Sequence, residues 1–186
     1  MNTGGVLLLN IANKLTVFRV ILVPFFVFFL LTQYVPYSRQ IALALFCIAT
    51  ITDKLDGTIA RKYNMTTNFG KFMEPIADKL LVSSALICLC ALDQISAWIV
   101  IIIIAREFVI SGVRLIAADN GVTIAASWWG KSKTISQMTM IIIMLLNIEK
   151  LYLLSTAVMY ISLILTIISM IDYIIKNKRI FYNSAI

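Results

Sequence analysis

Long apolar runs separated by short polar segments make up most of this 186-residue chain. Six of these runs approach the roughly 20 residues that an α-helix needs to cross the hydrocarbon core of a bilayer. The pattern therefore predicts an all-α integral membrane bundle of six transmembrane helices. Their predicted ranges are residues 17–33, 40–60, 69–92, 95–118, 134–146 and 151–175. An alternative start for the fifth helix is Ser127, at the head of a polar stretch.

A shorter apolar run, residues 6–11, precedes the first predicted helix. It is too short to span a membrane, and no small-residue cleavage site of the signal-peptide kind follows it. We therefore predict a short N-terminal interfacial helix within residues 1–16. Because the sequence shows no linker and no internal repeat, residues 1–186 are predicted to form a single membrane domain.

Composition narrows the chemistry that the chain can perform. Hydrophobic residues make up 61% of the sequence and the mean hydropathy is +0.94, well above the composition of soluble domains. The three cysteines all fall within apolar runs and are predicted to be buried hydrophobic side chains. The chain has no histidine, which excludes Ser-His-Asp and Cys-His catalysis and most zinc sites. Catalysis would depend on carboxylates, Lys, Arg and hard metal ions.

The distribution of basic residues predicts the orientation. If successive helices cross in alternate directions, every Lys and Arg except Arg39 and Lys150 falls on the side that holds both termini. The positive-inside bias then predicts a multi-pass protein of the cell membrane with both termini in the cytoplasm. The net charge of +7 is attributed to this orientation and to anionic membrane lipid, so no nucleic acid partner is expected.

Four of the nine acidic residues lie within 26 positions of one another, at Asp53, Asp56, Glu74 and Asp78. The first pair ends the second predicted helix and the other pair begins the third, so an antiparallel hairpin brings both pairs to the cytoplasmic face. Burying four carboxylates together is unfavourable unless cations join them. An all-oxygen ligand set favours magnesium, with manganese or calcium as alternatives. The competing interpretation is a set of interfacial acids neutralised by neighbouring Lys and Arg.

The acids belong to a longer motif with fixed spacing. It reads Asp53-x-x-Asp56-Gly57-x-x-Ala60-Arg61, then, after eight residues, Gly70-x-x-x-Glu74-x-x-x-Asp78. This motif resembles the signature of the CDP-alcohol phosphotransferase family. The resemblance implies a six-helix enzyme, commonly a homodimer, that uses two divalent cations. Such enzymes transfer a phosphatidyl-type group from a CDP-activated donor to an alcohol and release CMP.

Carried over by position, the resemblance assigns a role to each residue of the motif. Two magnesium ions would be bound by Asp53, Asp56, Glu74 and Asp78, and Asp78 would also be the catalytic base. The CDP moiety would be bound by Asp53, Asn13, Gly57, Ala60 and Arg61. Glu74 departs from the family pattern, which usually has Asp there. Its extra methylene moves the carboxylate relative to the metals, and we expect lower activity as a result.

Further segments resemble the branch of the family that uses glycerol 3-phosphate as the acceptor. These are Asn13-Lys-Leu-Thr-x-x-Arg19, Lys71, Asp78-Lys79-Leu-Leu, Arg106-Glu-Phe-x-x-Ser-Gly-x-Arg114 and Gly130-Lys-x-Lys-Thr134. The reaction implied is CDP-diacylglycerol plus glycerol 3-phosphate giving phosphatidylglycerol phosphate and CMP, a step of phospholipid biosynthesis. The donor's acyl chains would lie among the membrane lipid.

An acceptor that carries its own phosphate needs a cationic pocket. Arg106 and Arg114 lie two helical turns apart, at a depth where arginine is costly unless it faces a polar cavity. Lys79, Lys131 and Lys133 complete the predicted acceptor-phosphate site. Lys131 and Lys133 could instead serve orientation alone, and Lys79 could extend to the membrane interface.

Three other functions compete with this interpretation. A transferase of the same family could use phosphatidylglycerol, serine or inositol phosphate as the acceptor, although a bare alcohol would not require both arginines. A divalent-cation transporter would also need membrane acids, but at the midplane and not at one face. A structural assembly protein would keep its cellular function after Asp56→Asn or Asp78→Asn.

Overall fold

The computed structural model describes residues 11–32, 34–62, 68–119 and 127–177. Within its helices it describes only the backbone of residues 11–14, 53–62, 68–75, 78, 116, 118 and 119. The predicted interfacial helix lies partly outside these ranges, at residues 1–10. Residues 11–16, predicted in the same segment, form the first turns of a longer helix.

Six α-helices and one 3₁₀ turn account for the regular structure of the described residues, which contain no strand. This confirms the all-α prediction. The helices are α1 (Ile11–Leu31), α2 (Ser38–Lys62), α3 (Asn68–Ala91), α4 (Ala97–Asp119), α5 (Trp128–Leu146) and α6 (Tyr152–Lys176), with the 3₁₀ turn at Glu149–Leu151.

The fifth helix begins at the earlier of the two predicted starts. Ser127 is its N-cap, and the backbone N–H of Gly130 donates a hydrogen bond to the Ser127 hydroxyl at 3.2 Å. Ser favours this position because its side chain satisfies an otherwise unpaired backbone N–H in the first turn. Apolar periodicity alone predicts a start at residue 134, because Gly130-Lys-Ser-Lys133 separates Trp128 and Trp129 from the apolar run.

One described segment, Glu149–Lys176, is long and apolar enough by itself to cross a membrane. The apolar stretches of α1, α2 and α3 are shorter, at Leu15–Leu31, Ser38–Thr52 and Lys79–Ala91. Charged residues occupy the adjoining ends of α2 and α3, and they shorten the apolar part of both helices. The prediction of six complete spans therefore remains a prediction.

The chain forms two compact units, Met1–Leu92 and Asp93–Ile186. In the first unit, α1 packs against both α2 and α3. The rings of Phe26 in α1 and Phe46 in α2 lie 5.8 Å apart between centroids. Ala42 and Ala49 lie about one turn before and one turn after Phe46 on the same face of α2, and both are fully buried. Small side chains there let the two helix backbones approach closely.

In the second unit, α6 packs against α5 and also contacts α4. The buried face of α6 is mostly small and polar; its members are Ser155, Met159, Ser162, Thr166, Ser169 and Tyr173. Gln137 of α5 donates a hydrogen bond from Nε2 to Thr166 Oγ1 at 3.2 Å. A polar face on an otherwise apolar helix indicates that hydrogen bonds and close packing hold these helices together, in addition to apolar contacts.

The α1–α2 contact can be tested with two leucine substitutions on α2. Ala42→Leu should destabilise the protein by about 1–3 kcal/mol, because the added methylenes overpack a fully buried position. Ala44→Leu is the matched control, since Ala44 is exposed on the same helix. Thermal unfolding in detergent measures both. An equal change in melting temperature for the two variants would contradict the assigned buried face.

Candidate functional site

The backbone places the two acidic pairs at the adjoining ends of consecutive helices. Asp53 and Asp56 lie in the last turns of α2, and Glu74 and Asp78 lie in the first turns of α3. This agrees with the predicted hairpin. Carboxylates alone form the kind of ligand set that hard divalent cations prefer, so the chemistry of these residues fits magnesium.

The side chains of the predicted metal and CDP sites lie outside the described set. They belong to Asn13, Asp53, Asp56, Gly57, Ala60, Arg61, Glu74 and Asp78. Their metal, CDP and catalytic roles therefore stay predictions. Among the side chains that the structure does describe, no group of three or more His, Cys, Asp or Glu residues could hold a metal ion.

The predicted acceptor site is described in much greater detail, and Arg106 is its most constrained member. Only 7% of Arg106 is exposed. Its Nη1 donates to Glu107 Oε1 at 3.1 Å, and its Nη2 donates to Ser169 Oγ of α6 at 2.6 Å. Its Nε is buried without a hydrogen-bond partner. Two partners on two helices thus fix the plane of the guanidinium, while one donor remains unused.

Lys133 of α5 forms an ion pair with the same carboxylate oxygen, Glu107 Oε1. Lys133 is 2% exposed, whereas Lys131 is exposed on the same helix. A buried, paired lysine is not a simple orientation charge, because orientation needs only a charge in water near the end of a helix. The structure thus separates the two lysines, and Lys133 is the one that joins the arginine cluster.

Arg114 lies farther along α4 and reaches Tyr173 of α6. Its guanidinium carbon is 5.7 Å from the centre of the Tyr173 ring, within the range of a cation–π contact. Its Nε is also buried without a hydrogen-bond partner. Arg106 is hydrogen-bonded to Ser169, which lies one turn before Tyr173 on the same face of α6. The two predicted arginines therefore belong to one cluster.

The described residues of this cluster carry more positive than negative charge. Three cations, Arg106, Arg114 and Lys133, are accompanied by one described carboxylate, Glu107. Excess positive charge in a largely apolar environment is costly unless an anion compensates it. The arrangement is therefore suited to binding a doubly charged anion such as a phosphate monoester.

The other basic residues of the predicted motifs differ in location and burial. Lys79 is half-buried on α3, in the first compact unit, and Lys131 is exposed on α5. Arg19, part of the motif near the N-terminus, is fully buried on α1 in the first unit.

The sequence motifs assign no role to three residues of the cluster, which are Glu107, Ser169 and Tyr173. Glu107 lies within the arginine motif, but nothing in the pattern shows that it pairs with a lysine 26 positions away. Ser169 and Tyr173 follow the three-and-four spacing of small polar residues along α6, which is the one sequence signal that could have identified them.

Comparison with known proteins gives an independent family assignment. Residues 9–168 match the family model described as CDP-alcohol phosphatidyltransferase. Because this match covers most of the chain, the protein belongs to the CDP-alcohol phosphatidyltransferase family. The resemblance inferred from the acidic motif is confirmed, and the family is one of transferases of membrane phospholipid synthesis.

Similar proteins carry more specific names. The chain is 39% identical over 183 residues to the CDP-diacylglycerol--glycerol-3-phosphate 3-phosphatidyltransferase of Bacillus subtilis, covering 90% of this chain and 95% of that protein. It is 44% identical over 173 residues to the protein of the same name from Haemophilus influenzae, covering 89% and 91%. A probable phosphatidylglycerophosphate synthase of Mycobacterium tuberculosis is 39% identical over 179 residues, covering 95% and 85%.

The shared carboxylate of Glu107 should be important for stability. Glu107→Gln removes the countercharge of two buried cations, and we expect it to cost about 3 kcal/mol in the free energy of unfolding. Adding Lys133→Met should restore much of that loss, because the double variant buries one cation fewer. Thermal unfolding of the single and double variants measures the coupling.

Glu149→Gln is the control for this experiment, since Glu149 is exposed in the 3₁₀ turn. It should leave the melting temperature nearly unchanged. If Glu107→Gln were as harmless as Glu149→Gln, or if Lys133→Met added to the loss, the ion pair would not have the role described.

Proposed function

We propose that the protein transfers the phosphatidyl group of CDP-diacylglycerol to glycerol 3-phosphate, giving phosphatidylglycerol phosphate and CMP. The family assignment supports the transferase chemistry, and the names of the similar proteins support this donor and acceptor. The observation that carries the choice of acceptor is the cluster of buried Arg106, buried Lys133 and half-buried Arg114, whose described residues carry more positive than negative charge.

The acceptor's phosphate is the ligand that this cluster suits best. A phosphate monoester brings two negative charges and several acceptor oxygens, which match planar guanidinium groups. Serine has no phosphate and would leave the surplus charge uncompensated. Lys79 and Lys131 are proposed to add to the attraction of the phosphate from outside the buried cluster.

The acidic residues are proposed to form the reaction centre. Asp53, Asp56, Glu74 and Asp78 would hold two magnesium ions, with manganese as the alternative. When bound, such ions neutralise charge on the phosphates of the donor. Asp78 accepts the proton of the acceptor's 1-hydroxyl. The hydroxyl oxygen of the acceptor then bonds to the phosphorus that carries diacylglycerol. The bond from that phosphorus to the CMP oxygen breaks, and CMP leaves.

The remaining residues of the motif are proposed to bind the CDP moiety. Gly57 and Ala60 leave room for a ligand beside the helix, because neither has a large side chain. Arg61 supplies a guanidinium for a phosphate of the donor, and Asn13 contributes an amide from the start of α1.

We further propose a multi-pass arrangement in the cell membrane with both termini and the reaction centre in the cytoplasm. The basic residues support this orientation through the positive-inside bias. The strongly apolar α6 supports a membrane location. A homodimer is proposed from the resemblance to the family alone.

The acceptor can be tested by measuring CMP release from purified protein with CDP-diacylglycerol and magnesium. We expect release with glycerol 3-phosphate and none above background with serine, inositol phosphate or phosphatidylglycerol. Asp56→Asn and Asp78→Asn should each lower kcat at least a hundredfold, as should removal of divalent cations with a chelator.

Asp93→Asn is the matched control, because Asp93 lies in a turn with φ of 57°, a conformation that Asn also tolerates. Its activity should equal that of the unmodified protein. Release with serine but not with glycerol 3-phosphate would refute the proposed acceptor. Full activity without divalent cations would refute the proposed metal site.

Glu74 allows a separate test of the metal assignment. Glu74→Asp restores the residue that the family usually has, and its shorter side chain should improve the position of the carboxylate. We expect kcat to rise severalfold while the KM for glycerol 3-phosphate stays the same, because the acceptor's phosphate is bound elsewhere. A fall in kcat would show that this chain is adapted to the longer side chain.

A further inference from the structure

We propose that the Tyr173 hydroxyl donates a hydrogen bond to the acceptor's phosphate, next to the guanidinium groups of Arg106 and Arg114. This inference rests on the proposed function, because it names a further ligand of the same acceptor site. Tyr173 lies five residues beyond the part of the chain that matches the family model, which ends at residue 168.

The first observation is that the Tyr173 hydroxyl is buried and unused. Tyr173 is 3% exposed, and its Oη has no hydrogen-bond partner. Burying a hydroxyl without a partner is unfavourable, and tyrosine in an apolar environment usually finds one. A phenylalanine would fill the same space without this cost, so the hydroxyl itself requires an explanation.

The second observation is that unused donors of three side chains belong to one cluster. Arg106 Nε, Arg114 Nε and Tyr173 Oη are all buried without a hydrogen-bond partner. Arg114 lies over the Tyr173 ring, and Arg106 is bonded to Ser169, one turn before Tyr173 on α6. Three unused donors on neighbouring side chains of one cluster predict a ligand that supplies several acceptor atoms.

The charges at this site determine the kind of ligand. Two guanidinium groups repel a cation and favour an anion, and a phosphate has enough oxygens to accept from all three donors. Since the donor atoms are closed to water here, binding requires rotation of at least one of these side chains.

The surroundings of the ring hold the hydroxyl in place. Tyr173 forms a buried cluster with Ile110 and Val113 of α4, and the cation–π contact with Arg114 restricts the ring from another side. The apolar contacts and the cation–π contact need only the ring. Tyr173→Phe therefore removes the proposed ligand contact and leaves the packing intact.

The experiment compares Tyr173→Phe with Tyr160→Phe, the same change at an exposed position of α6. Each variant is purified with its full chain. Thermal unfolding is recorded without ligand, with inorganic phosphate and with glycerol 3-phosphate, all in the absence of the donor. The KM for each substrate and kcat are then measured from CMP release.

Without ligand, Tyr173→Phe should unfold at the same temperature as the unmodified protein or slightly above it. The added stability from phosphate and from glycerol 3-phosphate should be reduced. The KM for glycerol 3-phosphate should rise about tenfold, the size expected for one hydrogen bond to a charged group. The KM for CDP-diacylglycerol should stay within about twofold, and Tyr160→Phe should change none of these quantities.

Two results would overturn the proposal. One is a KM for glycerol 3-phosphate that stays within about twofold in Tyr173→Phe while the unmodified protein is active. The other is a lower melting temperature without ligand, which would give the hydroxyl a structural role. Failure of the proposed function can be distinguished from both results. In that case the unmodified protein itself would release no CMP with glycerol 3-phosphate, whether or not phosphate raised its melting temperature.

Discussion

The contacts among α4, α5 and α6, in the second half of the chain, depend on one carboxylate. Glu107 Oε1 pairs with Arg106 on its own helix and with Lys133 on α5, and Arg106 in turn bonds to Ser169 on α6. Charges so deeply buried are tolerated only when they are paired. The ion pairs link α4 with α5, and the hydrogen bond to Ser169 adds α6. Together they fix the guanidinium that the proposed reaction needs. Stability and the proposed binding of the acceptor's phosphate would rely on the same few side chains.

This arrangement also explains the polar face of α6. Ser162, Thr166 and Ser169 are small enough to let α5 approach closely, and Ser169 adds an acceptor for Arg106. Larger apolar residues would pack equally well in lipid but could not accept a hydrogen bond. Tyr173 continues that face by one turn and lies against Arg114. A single helical face thus combines packing with the positioning of both arginines.

The family and most helix boundaries could be predicted from the sequence because both depend on local patterns. The acidic motif has fixed spacing, and apolar runs show where helices lie. The start of α5 was harder, because a polar stretch separates its first residues, Trp128 and Trp129, from the long apolar run that follows. The pairing of Glu107 with Lys133 and the contact of Arg114 with Tyr173 could not be predicted, since each joins residues far apart in sequence. Spacing along one helix says nothing about which partner a neighbouring helix supplies.

The central claim is that the surplus positive charge of this cluster binds the acceptor's phosphate. The most direct measurement is an experimental structure of the protein with glycerol 3-phosphate and magnesium. We expect phosphate density within hydrogen-bonding distance of the Arg106 and Arg114 guanidinium groups. Phosphate density elsewhere, for example against the exposed Lys131, with the Arg106 cluster empty, would contradict it.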